Sequence, residues 1–250
     1  MTNTERTFCL TIAGYDPTAG AGVLADVKTF EMHQVYGMAV ITCNTLQTDN
    51  EFINIQWIDD EIILNQTSVI LNKYEFKSIK IGLIKNLKIL IDLLILIKDK
   101  QPNAFVIWDP ILKSSSGFEF HNQKNLAINQ IQQKCSLITP NWEEFEKLWG
   151  ADIKVLIEQN ISAAVLIKGG HRHDKKGTDI LYQNGIFTEI DGISFGGKTK
   201  HGTGCVLSAA ICANIAIGLS LHQSCINAKK YIELFIHSNH SNLGFHQYAI

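Results

Sequence analysis

Apolar residues along this chain fall into short dense runs separated by longer stretches in which they recur every three or four positions. Thr7–Ala13 (TFCLTIA), Met38–Cys43 (MAVITC), Ser78–Leu83, Phe105–Trp108, Leu137–Thr139 and Ala163–Ile167 are dense runs. They are too short for helices and have the mostly apolar character of strands covered on both faces. Between them, VLADVKTFEMH, Asp59–Tyr74, Asn86–Lys100, Gln123–Lys134 and the acidic Trp142–Trp149 predict helices. Phe52–Trp57 alternates and predicts a short strand. Thr178–Tyr182 and Ile186–Ile190, joined at Asn184-Gly185, predict a hairpin, because Asn-Gly suits a tight primed turn. Two helices follow, from about Cys205 to Ile217 and from His222 to His237. Strand followed by helix, repeated along the chain, predicts an α/β fold: a mostly parallel central sheet with helices on both faces and a small β-hairpin. No linker, repeat or low-complexity tract interrupts the pattern, so residues 1–250 are expected to form a single domain.

Composition narrows the partners. With 46% apolar and 18% charged residues the chain is an ordinary globular sequence with enough length to bury a sizeable core. Its 22 basic and 24 acidic residues leave a net charge of −2 without a basic stripe, which argues against a nucleic-acid partner. The apolar run Leu87–Ile97 is broken by Lys88 and Asp92 and is too short to span a bilayer, so no membrane partner is expected. The N-terminus lacks the apolar core of a signal peptide. Six cysteines show no C-x-x-C or zinc-like spacing and read as reduced thiols in a cytoplasmic protein. The nine histidines likewise have no metal-site spacing and are expected to be solvated.

The stretch GISFGGKTKHGTGCVLSAA offers two phosphate-binding patterns. Gly192-x-x-x-x-Gly197-Lys198-Thr199 fits a P-loop, but the helix it needs would start with Gly202 and Gly204 in its first turn, which is unfavourable. The second pattern is better placed. Gly202, Thr203, Gly204 and Cys205 precede VLSAAICANIAIGL, which is apolar on nearly every side and predicts a buried helix with only its N-terminus open. Free amides there, at the positive end of the helix, form an anion hole for a phosphoryl group in transfer. At that position the thiol of Cys205 is expected to have a pKa lowered toward neutrality, which would suit it as a base.

The motifs TIAGYDPTAGAGVLADVKTF (11–30), YGMAVITCNTLQ (36–47), KIGL (80–83), DPILKSSSG (109–117), ITPNWEEFEKL (138–148), VLIKGGH (165–171) and KHGTGC (200–205) come in the order found in hydroxymethylpyrimidine/phosphomethylpyrimidine kinases. The chain resembles this family, a branch of the ribokinase-like superfamily, over essentially its whole length. The resemblance implies a ribokinase-like three-layer sandwich. It also implies an ATP-dependent kinase of thiamine biosynthesis, acting on 4-amino-5-hydroxymethyl-2-methylpyrimidine and then on its monophosphate. Matched motif by motif, Gly14, Asp26, Gln47, Leu83 and Ile111 correspond to the pyrimidine pocket, and the Gln47 amide can donate and accept at once. Asn141 and Glu144 match an N-x-x-E that organises Mg²⁺, Asp109 adds to that metal environment, and Lys168, Asn141 and Lys198 serve the nucleotide. Cys205 corresponds to the base for the substrate hydroxyl, beside the anion hole of Gly202, Thr203 and Gly204. A homodimer is the family expectation, and use of a monovalent cation stays open.

Three departures qualify the match. Ser114–Gly117 reads SSSG where the family often has AKSG, although Lys113 lies close by. Lys200 stands where threonine is frequent, and the usual glycine- and histidine-rich terminal signature is reduced to NLGFHQYAI. Three other readings compete. A pyridoxal or pyridoxine kinase shares the scaffold, and a catalytically silent nucleotide-binding regulator is allowed by the missing lysine. A dinucleotide oxidoreductase, suggested by Gly20-Ala21-Gly22, lacks both the tight turn and the acidic strand end that its fingerprint needs.

Overall fold

The computed structural model describes residues 6–112, 128–171, 175, 177–192 and 200–247. Lys198 with its P-loop-like pattern, the SSSG segment and the first part of the helix expected from Gln123 lie outside these residues. Nine strands, β1 (Phe8–Tyr15), β2 (Tyr36–Gln47), β3 (Phe52–Trp57), β4 (Phe76–Ile81), β5 (Phe105–Trp108), β6 (Leu137–Ile138), β7 (Ala164–Ile167), β8 (Asp179–Gln183) and β9 (Ile186–Ile190), form one sheet. Their spatial order is β3-β2-β1-β4-β5-β6-β7-β8-β9. From β2 to β7 every neighbouring pair is parallel, whereas β3 and the β8–β9 hairpin add antiparallel edges.

Helices cover both faces because the strands alternate two apolar sets. Leu10, Ile12, Ile79 and Ile81 point into one core with α2 (Asp60–Lys73) and α3 (Leu87–Lys100), to which α4 (Ile128–Gln132) and α5 (Trp142–Trp149) contribute. Cys9, Ile107, Leu137 and Leu166 point into the other, packed by α1 (Gly22–Met32), α7 (Thr203–Ala216) and α8 (Leu221–His237). Each buried aliphatic side chain in these cores contributes about 1.5–3 kcal/mol. α7 is apolar around almost its whole circumference, and it is buried against α1, α8 and the sheet as such a helix must be.

The structure differs from the pattern in a few places. β2 runs four residues beyond Cys43, because Asn44–Gln47 pair with β3 in an exposed ribbon whose polar side chains give no apolar signal. A short helix α6 (Val155–Glu158) and a single 3-10 turn at Gly169–His171 carry too little periodicity to be read. The histidines are not uniformly solvated: His201 is buried, and His246 bonds the Tyr231 hydroxyl at 2.9 Å. No described helix is long and apolar enough to cross a membrane.

Candidate active site

In a sheet of this kind, loops at the carboxyl ends of the parallel strands form the ligand crevice. Gly14, Gln47, Leu83, Asp109, Ile111, Asn141 and Lys168 all lie at or just past those ends. Gly14 lies against the strand-end residues on either side. A Cβ built there would fall 2.7 Å from Cys43 Sγ and 3.3 Å from Leu83 Cδ2, so only glycine lets these two side chains close on the backbone. A Cβ at Gly82 would lie 3.4 Å from Lys80 Nζ and 3.9 Å from Ile111 Cδ1, which puts Ile111 on the same wall. Gln47 is the last residue of β2, paired with Phe52 and partly exposed.

The mouth of α7 lies against these ends. Gly202 caps the helix with φ of 76°, in the left-handed region, and a Cβ on it would collide with the Gly20 carbonyl. Two small-residue loops, 16–22 and 200–204, therefore meet backbone to backbone, and the Gly22 amide donates to the Cys205 sulfur. Thr203, Gly204 and Cys205 open the helix, with amides in its first turn that lack helical partners. The expected lowering of the Cys205 pKa is corrected here: its thiol is pushed up to about 11. Burial is the largest cause and Asp26 and Asp109 add to it, which outweighs Lys80 and the Gly22 amide.

Beside this mouth sits a cluster of three charged side chains, Lys168, Asp109 and Glu144. Lys168, following β7, bonds Asp109 at 2.8 Å and approaches Glu144 at 3.8 Å. A Cβ at Gly204 would come within 3.3 Å of its Nζ, so the ammonium stands next to the amides of α7. Asp109 also accepts from Thr139 at 3.1 Å and from Ser208, one turn into α7, at 3.0 Å. Although burial opposes it, Lys168 with these bonds holds the Asp109 carboxyl below the usual carboxylate range. Asn141 and Glu144 close a capping box at the start of α5: the Glu144 amide donates to the Asn141 side chain, and the Asn141 amide to the Glu144 carboxylate. Burial, together with the charge of Asp109, pushes the Glu144 carboxyl up to about 7 against the pull of Lys168.

Asp26 sits deeper than the other pocket candidates. It has no exposed surface and pairs with Lys80 of β4 at 2.7 Å, accepting also from Thr11 at 2.6 Å. Its charge thus fixes Lys80, whose ammonium is raised by Asp26, Cys205 and Asp109 although burial opposes it. Lys80 was missed as a functional residue. The signal was present, since a lysine inside the apolar run SIKIGL demands a buried partner. Asp16 and His201 were missed as well. Asp16 accepts from the amides of Thr18 and Ala21 and faces His201 Nε2 at 2.8 Å, so it organises the 16–22 loop and ties it to the residue before Gly202.

Amides at the mouth of a buried helix, with a lysine and a thiol beside them at the strand ends, are the arrangement of a small-molecule kinase of the α/β type. The chain belongs to the phosphomethylpyrimidine kinase family, whose model matches residues 16–249. It is 35% identical over 246 residues to a hydroxymethylpyrimidine/phosphomethylpyrimidine kinase of Aquifex aeolicus, with 94% of this chain and 96% of the relative covered. Among solved structures it is similar to a phosphomethylpyrimidine kinase of Clostridium difficile 630, with a TM-score of 0.74, 28% identity and coverage of 91% and 98%. It is also similar to an ADP complex of Bacillus subtilis pyridoxal kinase, with a TM-score of 0.78, 27% identity and 92% of each chain covered.

Proposed function

We propose that this chain is an ATP-dependent kinase of thiamine biosynthesis. It phosphorylates the hydroxymethyl group of 4-amino-5-hydroxymethyl-2-methylpyrimidine and then the resulting monophosphate. The observation that carries this reading is the meeting of the Gly202–Cys205 helix mouth, Lys168 beside Gly204, and the Gly14–Leu83 wall at the carboxyl ends of the parallel strands. The amides of Thr203, Gly204 and Cys205 face charge developing on the transferring phosphoryl group, and Lys168 neutralises it from the side. The aminopyrimidine is held between Gly14, Leu83 and Ile111, with the Gln47 amide reading its nitrogen edge and Asp26 acting through Lys80. Lys198 stays assigned to the nucleotide on the resemblance alone.

Asp109 and Glu144 offer oxygen donors of the kind Mg²⁺ takes, and the Glu144 carboxyl, raised chiefly by burial, is the one a bound cation would draw back into its charged form. Among the described residues no group of three acidic, histidine or cysteine side chains forms a metal cage. Mg²⁺ in kinases needs none, because substrate phosphates supply much of its shell. Bound with ATP, such an ion would neutralise the phosphate charge, and Asn141 would hold Glu144 for it through the capping box.

Cys205 carries a proton at neutral pH and serves as base through its small thiolate fraction, which suffices where positioning does most of the work. The described cysteines are all free thiols, as in a cytoplasmic enzyme. The homodimer implied by the resemblance is measurable by light scattering. The test of function is mass spectrometry of products after incubation with ATP, Mg²⁺ and the alcohol. Monophosphate followed by diphosphate is expected. Monophosphate alone removes the second step, and phosphorylated pyridoxal in place of both overturns the substrate.

A further inference from the structure

Lys200 opens the KHGTGC segment, and its side chain is buried. Its ammonium donates to the Asn239 carbonyl at 3.1 Å, to the Asn239 side-chain oxygen at 2.9 Å and to the Ser241 carbonyl. An ammonium has three N–H donors, and three oxygens of carbonyl type converge on this one. Residues 239–243 are bent to present them. Asn239 Oδ1 also accepts from the Ser241 amide at 2.8 Å, while Asn239 Nδ2 donates to the Leu243 carbonyl at 2.9 Å. Convergent carbonyl oxygens are the means by which proteins hold a dehydrated monovalent cation, and ammonium and K⁺ are close in size.

The bend so ordered reaches both halves of the site. The His201 amide donates to the Asn242 carbonyl at 2.9 Å, and His201 in turn faces Asp16. The Asn242 side chain donates to the Asp49 carbonyl at 2.5 Å, just past Gln47. Leu243 lies against Gly20, where a Cβ would come within 2.7 Å of its Cδ2.

We propose that Lys200 is a tethered monovalent cation: its ammonium fixes residues 239–243, and through them the anion hole and the loop after Gln47, without a dissociable ion. Lys200 touches no reacting atom and is a positioning residue. The inference uses the kinase reading only for its turnover assay.

The test measures phosphorylation by wild type, Lys200→Thr and Lys200→Met in choline, Na⁺, K⁺ or NH₄⁺ at one ionic strength, with thermal melts in parallel. Wild type is expected to turn over equally in all four salts. Both variants are expected to lose about tenfold or more in kcat in choline, as displaced positioning groups do, and to regain it in K⁺ or NH₄⁺. Their melting temperatures should rise with K⁺ but not with choline. Stimulation of wild type by K⁺ would overturn the proposal. So would variants fully active in choline, or variants whose activity and melting are both indifferent to K⁺ and NH₄⁺. If wild type phosphorylates nothing in any salt, the functional reading fails, yet the melts still decide the role of Lys200.

Discussion

Cys205 shows how far surroundings override a local rule. A helix N-terminus favours a thiolate, but here the sulfur is enclosed with two carboxylates within range and one lysine against them. The folded pKa of about 11 lies above that of an ordinary thiol, so the proton stays on sulfur at neutral pH and is shed only as pH rises toward that value. We therefore expect kcat to climb between pH 7 and 10 without levelling, and Cys205→Ala to lower it about 10²-fold or more while abolishing the climb. A pH–rate profile of both forms checks this, and a plateau at pH 8 in wild type would contradict it. The same enclosure makes Asp26 and Lys80 interdependent, since removing either partner leaves a buried charge uncompensated, a loss of about 3–5 kcal/mol.

At the scale of elements, α7 and the loop against it act as one unit. Gly202 combines a left-handed φ of 76° with contact to the Gly20 carbonyl, whereas Gly218 just past the same helix has φ of 95° and open space around it. Gly202→Ala is expected to lower kcat about 10²-fold by prising the two loops apart, and Gly218→Ala to cost about 1 kcal/mol in stability with kcat unchanged. Steady-state kinetics beside thermal melts separates the two effects; equal kinetic losses would sink the distinction. The helix was legible because its apolarity is continuous, and so were the buried strands. The far end of β2 was not. Asn44–Gln47 owe their conformation to β3 across the ladder, and a ribbon exposed on both sides leaves no periodic trace.

For the molecule as a whole, the residues at strand ends were readable from motif order, and the pairs that join distant loops were not. Asp16 and His201 are separated by 185 positions, and neither looks unusual in its own segment. Lys80 was within reach, because a charge in an apolar run must be answered somewhere. The Asp16–His201 pair predicts acid behaviour. Burial raises the Asp16 carboxyl, but His201 and Thr18 outweigh it and leave it below its unfolded value. The stability it contributes is therefore present above that value, about pH 4, and is lost as pH falls through the lower folded one. Asp16→Asn should melt about 4–8 °C below wild type at pH 7, for a loss of about 2 kcal/mol, with the gap closing below pH 4. A gap that stays constant into acid would refute the assignment.

The bond from Asn242 to Asp49 closes a span of 193 residues. So wide a closure gains little until the intervening sheet has formed, and it belongs among the last events of folding. A refolding chain is thus expected to complete its strands and helices before the loops at the strand ends are fastened, with far-UV circular dichroism recovering ahead of turnover.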